Sequence, residues 1–416
     1  SICRRLPKIC FAGVARRTIG RGNTAARKTR LNLSAYAGQW IITRPVTRTT
    51  TTTLLTQNKH REQHITTFIQ LHLLTAYPAS NLNRDDTGAP KTVTLGGSTR
   101  LRISSQSLKR AWRTSALFED ALGEHIGVRS GRIGREAATL IASAGIEDKK
   151  AVEWGAKIAA CFGKPKSEKK KDDPFLATET EQLAHVSPAE FAAVKALAKK
   201  LAEEKRPPTE DELQLLRKDR MAVDIALFGR MLASAPEHNI EAACQVAHAF
   251  GVGETLVEDD FFTAVDDLRK DAEDAGAGHL GELGFGSALF YTYICINRDQ
   301  LLENLNGDDA LVEKTLRAFA ECALKVAPTG KQNSFASRAW ASWALAEKGS
   351  EQPRSLAAAF WQPVGGYEQL SEAVSRVTAL RDNMATVYGG QKTAHVQLNA
   401  QQGQGSLDEM LDFISA

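Results

Sequence analysis

The chain has 416 residues, 43% hydrophobic and 25% charged, and no apolar run approaches the ~20 residues of a membrane-spanning helix. Its formal net charge of +4 hides a division: residues 1–65 hold thirteen Arg or Lys and one acid, Glu62, while the remainder holds 40 basic and 48 acidic residues. An acidic body excludes indiscriminate polyanion binding, so any such binding must come from local basic surfaces.

Residues 1–64 are Arg- and Thr-rich, with a TRTTTTT run at Thr47–Thr53 and no useful periodicity. A basic arm for nucleic acid, a transit peptide and translated upstream sequence all fit that composition. The third is our expectation: the first Met is Met221, and patterned sequence begins only at Ile65, which points to a start there from a non-ATG codon.

Phe68–Leu74 is an apolar run of strand length, and Tyr77–Lys91 reads as loop by its Pro, Asn, Asp and Gly content. Asp85 and Asp86 sit in that loop, where adjacent acids usually cap turns and no His or third carboxylate is placed to assist them. Lys91 closes the loop as a candidate phosphate contact. Arg100 and Arg102 then alternate with Leu101 and Ile103, which predicts a strand with one basic and one apolar face. Ser104 and Ser105 supply capping hydroxyls for a helix in which Leu108 and Trp112 turn inward. Gln106, Lys109, Arg110 and Arg113 recur at helical spacing and should share one side. A basic strand, a helix start and a basic helix face within fifteen residues could hold a polyanion backbone; a solvated amphipathic helix would look the same.

Residues 114–220 read as a helical insertion into a smaller α/β core. Its helices run over Thr114–Cys161, Pro188–Lys205 and Glu210–Lys218, and the charge run Lys164–Asp173 reads as a solvated loop or disordered insert. Apolar patterning returns at Met221–Ala235, where pattern alone makes Met231 a core residue, and at Ile240–Phe250. Gly251–Asp274 has glycines at its margins and β-branched and aromatic residues inside, which predicts a protruding β-hairpin. GAGHLG at Gly276–Gly281 matches a dinucleotide fingerprint only formally, lacking the preceding strand and following helix. Ser287–Asn297 is a candidate central strand, followed by a helix over Arg298–Val326 that breaks near Asn306–Asp309. This order is the one an α+β, RRM-like (ferredoxin-like) core requires. Lys331 and Gln332 beside Phe335 form another candidate phosphate-and-stacking loop, and the segment from Leu356 onward is mostly helical.

The nine histidines form no HxH or HExxH, and no P-loop or GxSxG is present. The six cysteines include no CxxC pair, a scatter that fits a reduced cytoplasm. No catalytic, metal or cofactor site is expected.

Phe68–Arg113, with its Ser80–Asp86 loop (SNLNRDD), Gly-Gly and RISSQSLKRA, closely resembles the opening of the Cas7 (CasC/Cse4) backbone subunits of type I-E CRISPR Cascade complexes. Further matches follow in family order at Asp224–Met231, Ala243–Ala249, Phe262–Leu268 and Gly330–Ala336. The resemblance implies a non-catalytic cytoplasmic bacterial protein that polymerises along a guide RNA (crRNA) and presents it to a target DNA strand. Its partners would be other copies of itself and subunits of the Cas5, Cas6, Cas8 and Cas11 types. It implies a palm (65–113, 221–250 and 280–416), fingers (114–220) and a thumb (251–279). Lys91, Arg102, Ser104, Gln106, Lys109, Arg110, Arg113, Met231 and Lys331 would contact the guide. Phe261, Phe262, Thr263 and Val265 would form the wedge that pins a flipped nucleotide; many relatives carry Trp-Phe where this chain has Phe-Phe. Guide-processing endoribonucleases also use RRM-like folds, so an endoribonuclease using a loop Asp is the alternative.

Overall fold

The structure is a computed structural model that describes residues 66–167, 172–264, 279–389 and 393–416; the basic N-terminal extension and the centre of the 164–173 charge run lie outside these. Strand β1 (Phe68–Ser80) runs on past its predicted end at Leu74. Ile69, Leu71 and Leu73 enter one core and Leu74 another, so the strand is covered on both faces. Strands β2 (Thr92–Leu95) and β3 (Ser98–Ile103) form a hairpin turned by Gly96 and Gly97. Both glycines have positive φ, as a two-residue turn of this kind needs. Helix α1 (Ser105–Arg113) follows directly, with Ser104 as its N-cap, and α2 (Ala116–Leu122) is capped by Ser115.

The insertion contains β4 (Val128–Ser130), α3 (Ile133–Ser143), α4 (Asp148–Ala160), β5 (Ala184–Val186) and α5 (Pro188–Glu204), gathered on a hydrophobic core of their own. α5 starts at the expected Pro188 behind a capping box: Ser187 accepts from the Glu190 N–H, and Glu190 accepts from the Ser187 N–H. Two expectations fail. β4 and β5 pair as a small antiparallel sheet, and Glu210–Lys218 holds only a 3-10 turn over Asp211–Leu213.

The chain returns to the main body through α6 (Val223–Phe228), β6 (Cys244–Val246), β7 (Ala249–Gly251) and β8 (Glu258–Ala264). β9 (His279–Asn297) is one strand where the hairpin arm and the central strand were expected separately. Its outer part pairs with β8, and its inner part pairs with β1, β6 and β7. Next come α7 (Arg298–Asn304) and α8 (Asp309–Lys325), separated at the predicted break by positive φ at Asn306 and Gly307. The chain ends with α9 (Gln332–Phe335), β10 (Trp343–Gly349), α10 (Gln369–Tyr388), β11 (Ala394–Asn399) and α11 (Leu407–Ser415). The Ala, Leu, Glu and Lys of β10 favour a helix; its strand state comes from pairing with both β1 and β11.

The result is a mixed α+β fold around a large antiparallel sheet ordered β11-β10-β1-β9-β7-β3-β2, with β6 and β8 also on β9. α1, α2, α8 and α11 bury Trp112, Phe118, Phe319 and Ile414 on one face. Phe360, Val364, Ala373 and Val377, from the segment leading into α10 and from α10 itself, cover Tyr291, Trp343 and Leu345 on the other. Neither face of the central sheet is left open to stack bases. The second face also encloses a polar group, in which His72 meets Tyr291 at 2.8 Å and Glu347 at 3.3 Å, and Arg354 pairs with Glu347. Burial pushes His72 below its ordinary pKa. It pushes Glu347 up, but hydrogen bonds from His72 and Arg354 outweigh this and hold the carboxyl at about 2.

The same covering layer corrects the reading of β3. Arg100 and Arg102 do alternate with Leu101 and Ile103, but Arg100 is completely buried. Its guanidinium donates to the carbonyls of Val252 at 2.6 Å, Gly251 at 3.2 Å and Phe360 at 3.4 Å. Arg100 ties strand to cover, and only Arg102 remains outward.

Candidate nucleic-acid interface

Three of the motif segments meet in one groove of about 420 Å³. Leu82–Asp85 supply one wall, Ser107, Arg110, Ala111 and Thr114 of α1 a second, and Thr329 and Gly330 a third. Asn83 fixes the first two together: its Oδ1 accepts from the Ser104 N–H at 2.8 Å, and its carbonyl accepts from the Lys91 N–H at 2.8 Å. Arg84 and Arg110 are exposed and have no carboxylate partner among the described residues. Asp85 is committed to its own turn, accepting from Thr87 N–H, Thr87 Oγ1 and Ala89 N–H. The Thr87 hydroxyl leads in holding its pKa below the ordinary value. This is the turn-capping role that adjacent loop acids suggest.

Gly330 closes the groove because nothing larger fits. A Cβ there would collide with the Leu82 carbonyl and lie 2.9 Å from the Asn81 oxygen. Backbone on both sides leaves no flexible atom to yield, so Gly330→Ala should cost about 1–3 kcal/mol of stability. A fall in the urea midpoint at unchanged m-value would register it.

The predicted basic face of α1 is split. Leu108, Ala111 and Trp112 are buried. Ser107, Arg110 and Thr114 turn to the groove, whereas Lys109 and Arg113 turn toward α6. Lys109 Nζ sits 5.5 Å from the centre of the Phe228 ring. Arg113 donates to the fully buried Asp224 at 3.2 Å and is only 14% exposed. Its guanidinium holds the fold, which removes it as a free phosphate ligand. Gln106 is exposed as expected, and Ser104 is nearly buried, its oxygen accepting from the Ser107 N–H at 3.4 Å. Lys331 is half-buried beside Gly330, in a left-handed conformation at φ 51°.

Lys91 and Arg102 meet elsewhere, on the β2–β3 hairpin. The Arg102 N–H donates to the Lys91 carbonyl at 2.7 Å, and the Arg102 guanidinium donates to His248 Nδ1 at 3.0 Å. Partial burial and the charges of Arg102 and Lys91 lower the His248 pKa, so the ring accepts as a neutral imidazole at pH 7. His248 and Arg84 were both missed in the sequence. Both lie inside segments that carry the family resemblance, Ser80–Asp86 and Ala243–Ala249, but neither stands in a charge or helical pattern of its own. Met231 is 86% exposed, against the core role that pattern alone favoured. Phe261, Phe262 and Thr263 stand exposed on β8, and the Phe262 ring lies over Gly281 of the paired strand. Val265 lies outside the described residues.

A buried node joins this interface to the insertion. Asp224 on α6 accepts from the Gly127 N–H at 2.8 Å, from His185 Nε2 at 2.7 Å and from Arg113. Among the described residues, no three His, Cys, Asp or Glu side chains converge as a ligand set for a metal.

Residues 69–412 match the family of CT1975-like proteins. No curated protein matches. A solved chain described as "CRISPR RNA-guided surveillance complex, pre-nicking" is similar with a TM-score of 0.71 at 29% identity, over 83% of this chain and 100% of that one. Another, "CRISPR RNA-guided surveillance complex", is similar in fold at 24% identity, with a TM-score of 0.63 over 84% of this chain and 99% of that one. The matched region takes in the groove, the β8–β9 hairpin and the insertion together, and the chain belongs to the CT1975-like protein family.

Proposed function

We propose that this protein is the guide-RNA-binding backbone subunit of a CRISPR surveillance complex, of the type I-E Cascade kind. The observation that carries the reading is the groove, where two guanidinium groups without a carboxylate partner among the described residues and a glycine-tight backbone turn meet on segments that are far apart in sequence. The description of the similar solved chain supports it, as does covering of the sheet on both faces, which moves any nucleic-acid contact to loops and helix ends. On this reading the β10-β1-β9-β6 centre is an RRM-like palm, since its strand and helix order is that of a split βαβ unit. The β8–β9 hairpin is the thumb, with Phe261 and Phe262 as an apolar wedge between unstacked bases. Copies would line up along the guide, holding it for pairing with a target DNA strand, with the Cas5, Cas6, Cas8 and Cas11 types of subunit as partners. Backbone contacts suit a protein that must accept any spacer, because phosphate contacts position without reading sequence.

Arg110→Ala tests the reading. It should weaken guide binding equally for unrelated spacers and reduce the slope of log affinity against log salt by about 0.7, the value for one single-strand phosphate contact. Salt-titrated anisotropy with two unrelated guides measures both. A loss confined to one spacer would contradict backbone binding.

A further inference from the structure

The loop that begins at the groove carries a second surface that the groove does not use. From Ser337 to Ala341 the chain alternates: Ser337 and Ala341 are buried and Ala339 packs on the core, whereas Arg338 and Trp340 are exposed. The segment is anchored, with the Ala341 N–H donating to the Leu324 carbonyl and the Ser342 N–H to the Leu74 carbonyl, both at 2.8 Å. Trp340 is therefore held outward by its neighbours, and it is 67% exposed. Lys325 Nζ lies 5.2 Å from the indole centre and is itself paired with Glu321 at 2.7 Å. That pairing makes Lys325 a support for the ring rather than a ligand for phosphate. Arg338 has no side-chain partner among the described residues. The loop before it is turned by two non-glycine residues in the left-handed region, Lys331 at φ 51° and Ala336 at φ 47°. Such conformations persist where surrounding structure enforces them, and they collect at ligand clamps.

We propose that Trp340 is a stacking platform for a base of single-stranded RNA leaving the groove, with Arg338 as the adjacent phosphate contact. An exposed indole offers any base a π-face, and a free guanidinium beside it complements a polyanion. This pairing of ring and cation suits sequence-tolerant binding of one strand. The proposal rests on the guide-binding reading above but concerns different residues, so the two can fail separately.

The test uses the full chain and a single-stranded RNA oligonucleotide carrying 4-thiouridine. Trp340→Ala should lower affinity roughly 5- to 150-fold, the range that one stacked base supplies. Trp340→Phe should keep most of it, and photocross-links should map to the peptide containing Trp340. Arg338→Ala should reduce the salt slope. Unchanged affinity of Trp340→Ala with no cross-link there, while Arg110→Ala still weakens binding, would overturn the platform and leave the groove standing. If Arg110→Ala also binds as wild type, the guide-binding reading falls. A change in copy number by native mass spectrometry, without loss of RNA affinity, would mark Trp340 as a protein contact and overturn the platform as well.

Discussion

Asp224→Ala is expected to lower the unfolding free energy by about 3–5 kcal/mol, the cost of breaking a buried ionic node by removing one partner. Asp224 is fully buried, and its carboxylate satisfies the Gly127 N–H, the His185 ring and the Arg113 guanidinium together. Truncation leaves all three donors without their acceptor, on three different segments. Asp224→Asn keeps the volume but sets an amide NH2 against donors, so it should fall between wild type and Ala. Urea denaturation followed by far-UV circular dichroism would rank the three.

The same node predicts a pH dependence. Burial raises the Asp224 pKa, but hydrogen bonds from His185 and the Gly127 N–H, with the charge of Arg113, outweigh this and hold it below the ordinary value. A depressed carboxylate contributes stability that is full above its unfolded pKa of ~3.9 and is lost as pH falls through the folded value. The stability of wild type should therefore decline more steeply below about pH 4 than that of Asp224→Ala. Parallel curves would show that Asp224 is not the titrating group.

Much of this architecture was legible where the signal is local. The helix expected over Pro188–Lys205 is α5, and Asn306–Asp309 marked the break between α7 and α8. Where partners are distant, local pattern misled. Arg100 and Arg102 alternate as one basic face, yet Phe360, far along the chain, helps to bury Arg100. Arg113 has the helical spacing of a surface cation, and only the arrival of Asp224 shows that it is spent inside. The groove is built largely from three segments that carry the family resemblance, Ser80–Asp86, the Arg102–Arg113 stretch and Gly330–Ala336. Their meeting depends on Asn83 and Gly330, which carry no charge pattern to find.

Arg230→Ala should be as damaging as Asp224→Ala, at about 3–5 kcal/mol, and for a separable reason. Arg230 Nη1 lies 2.9 and 2.8 Å from the two oxygens of Glu190, and both side chains are buried. Removing the arginine strands an uncompensated carboxylate, which also serves the Ser187 and Arg217 N–H groups at 2.8 and 2.9 Å. Adding Glu190→Gln to Arg230→Ala should therefore recover part of the loss, because a neutral amide keeps an acceptor for the backbone without needing a counter-charge. A double-mutant cycle of urea midpoints measures that coupling. The functional consequence follows from position. The Arg230 backbone exchanges hydrogen bonds of 3.0 and 2.9 Å with Ile240, and Met231, the exposed residue expected on the RNA path, comes next in the chain. If Glu190→Gln restores stability but not guide affinity to Arg230→Ala, the arginine sets where Met231 stands. If both return together, its role is confined to the interior.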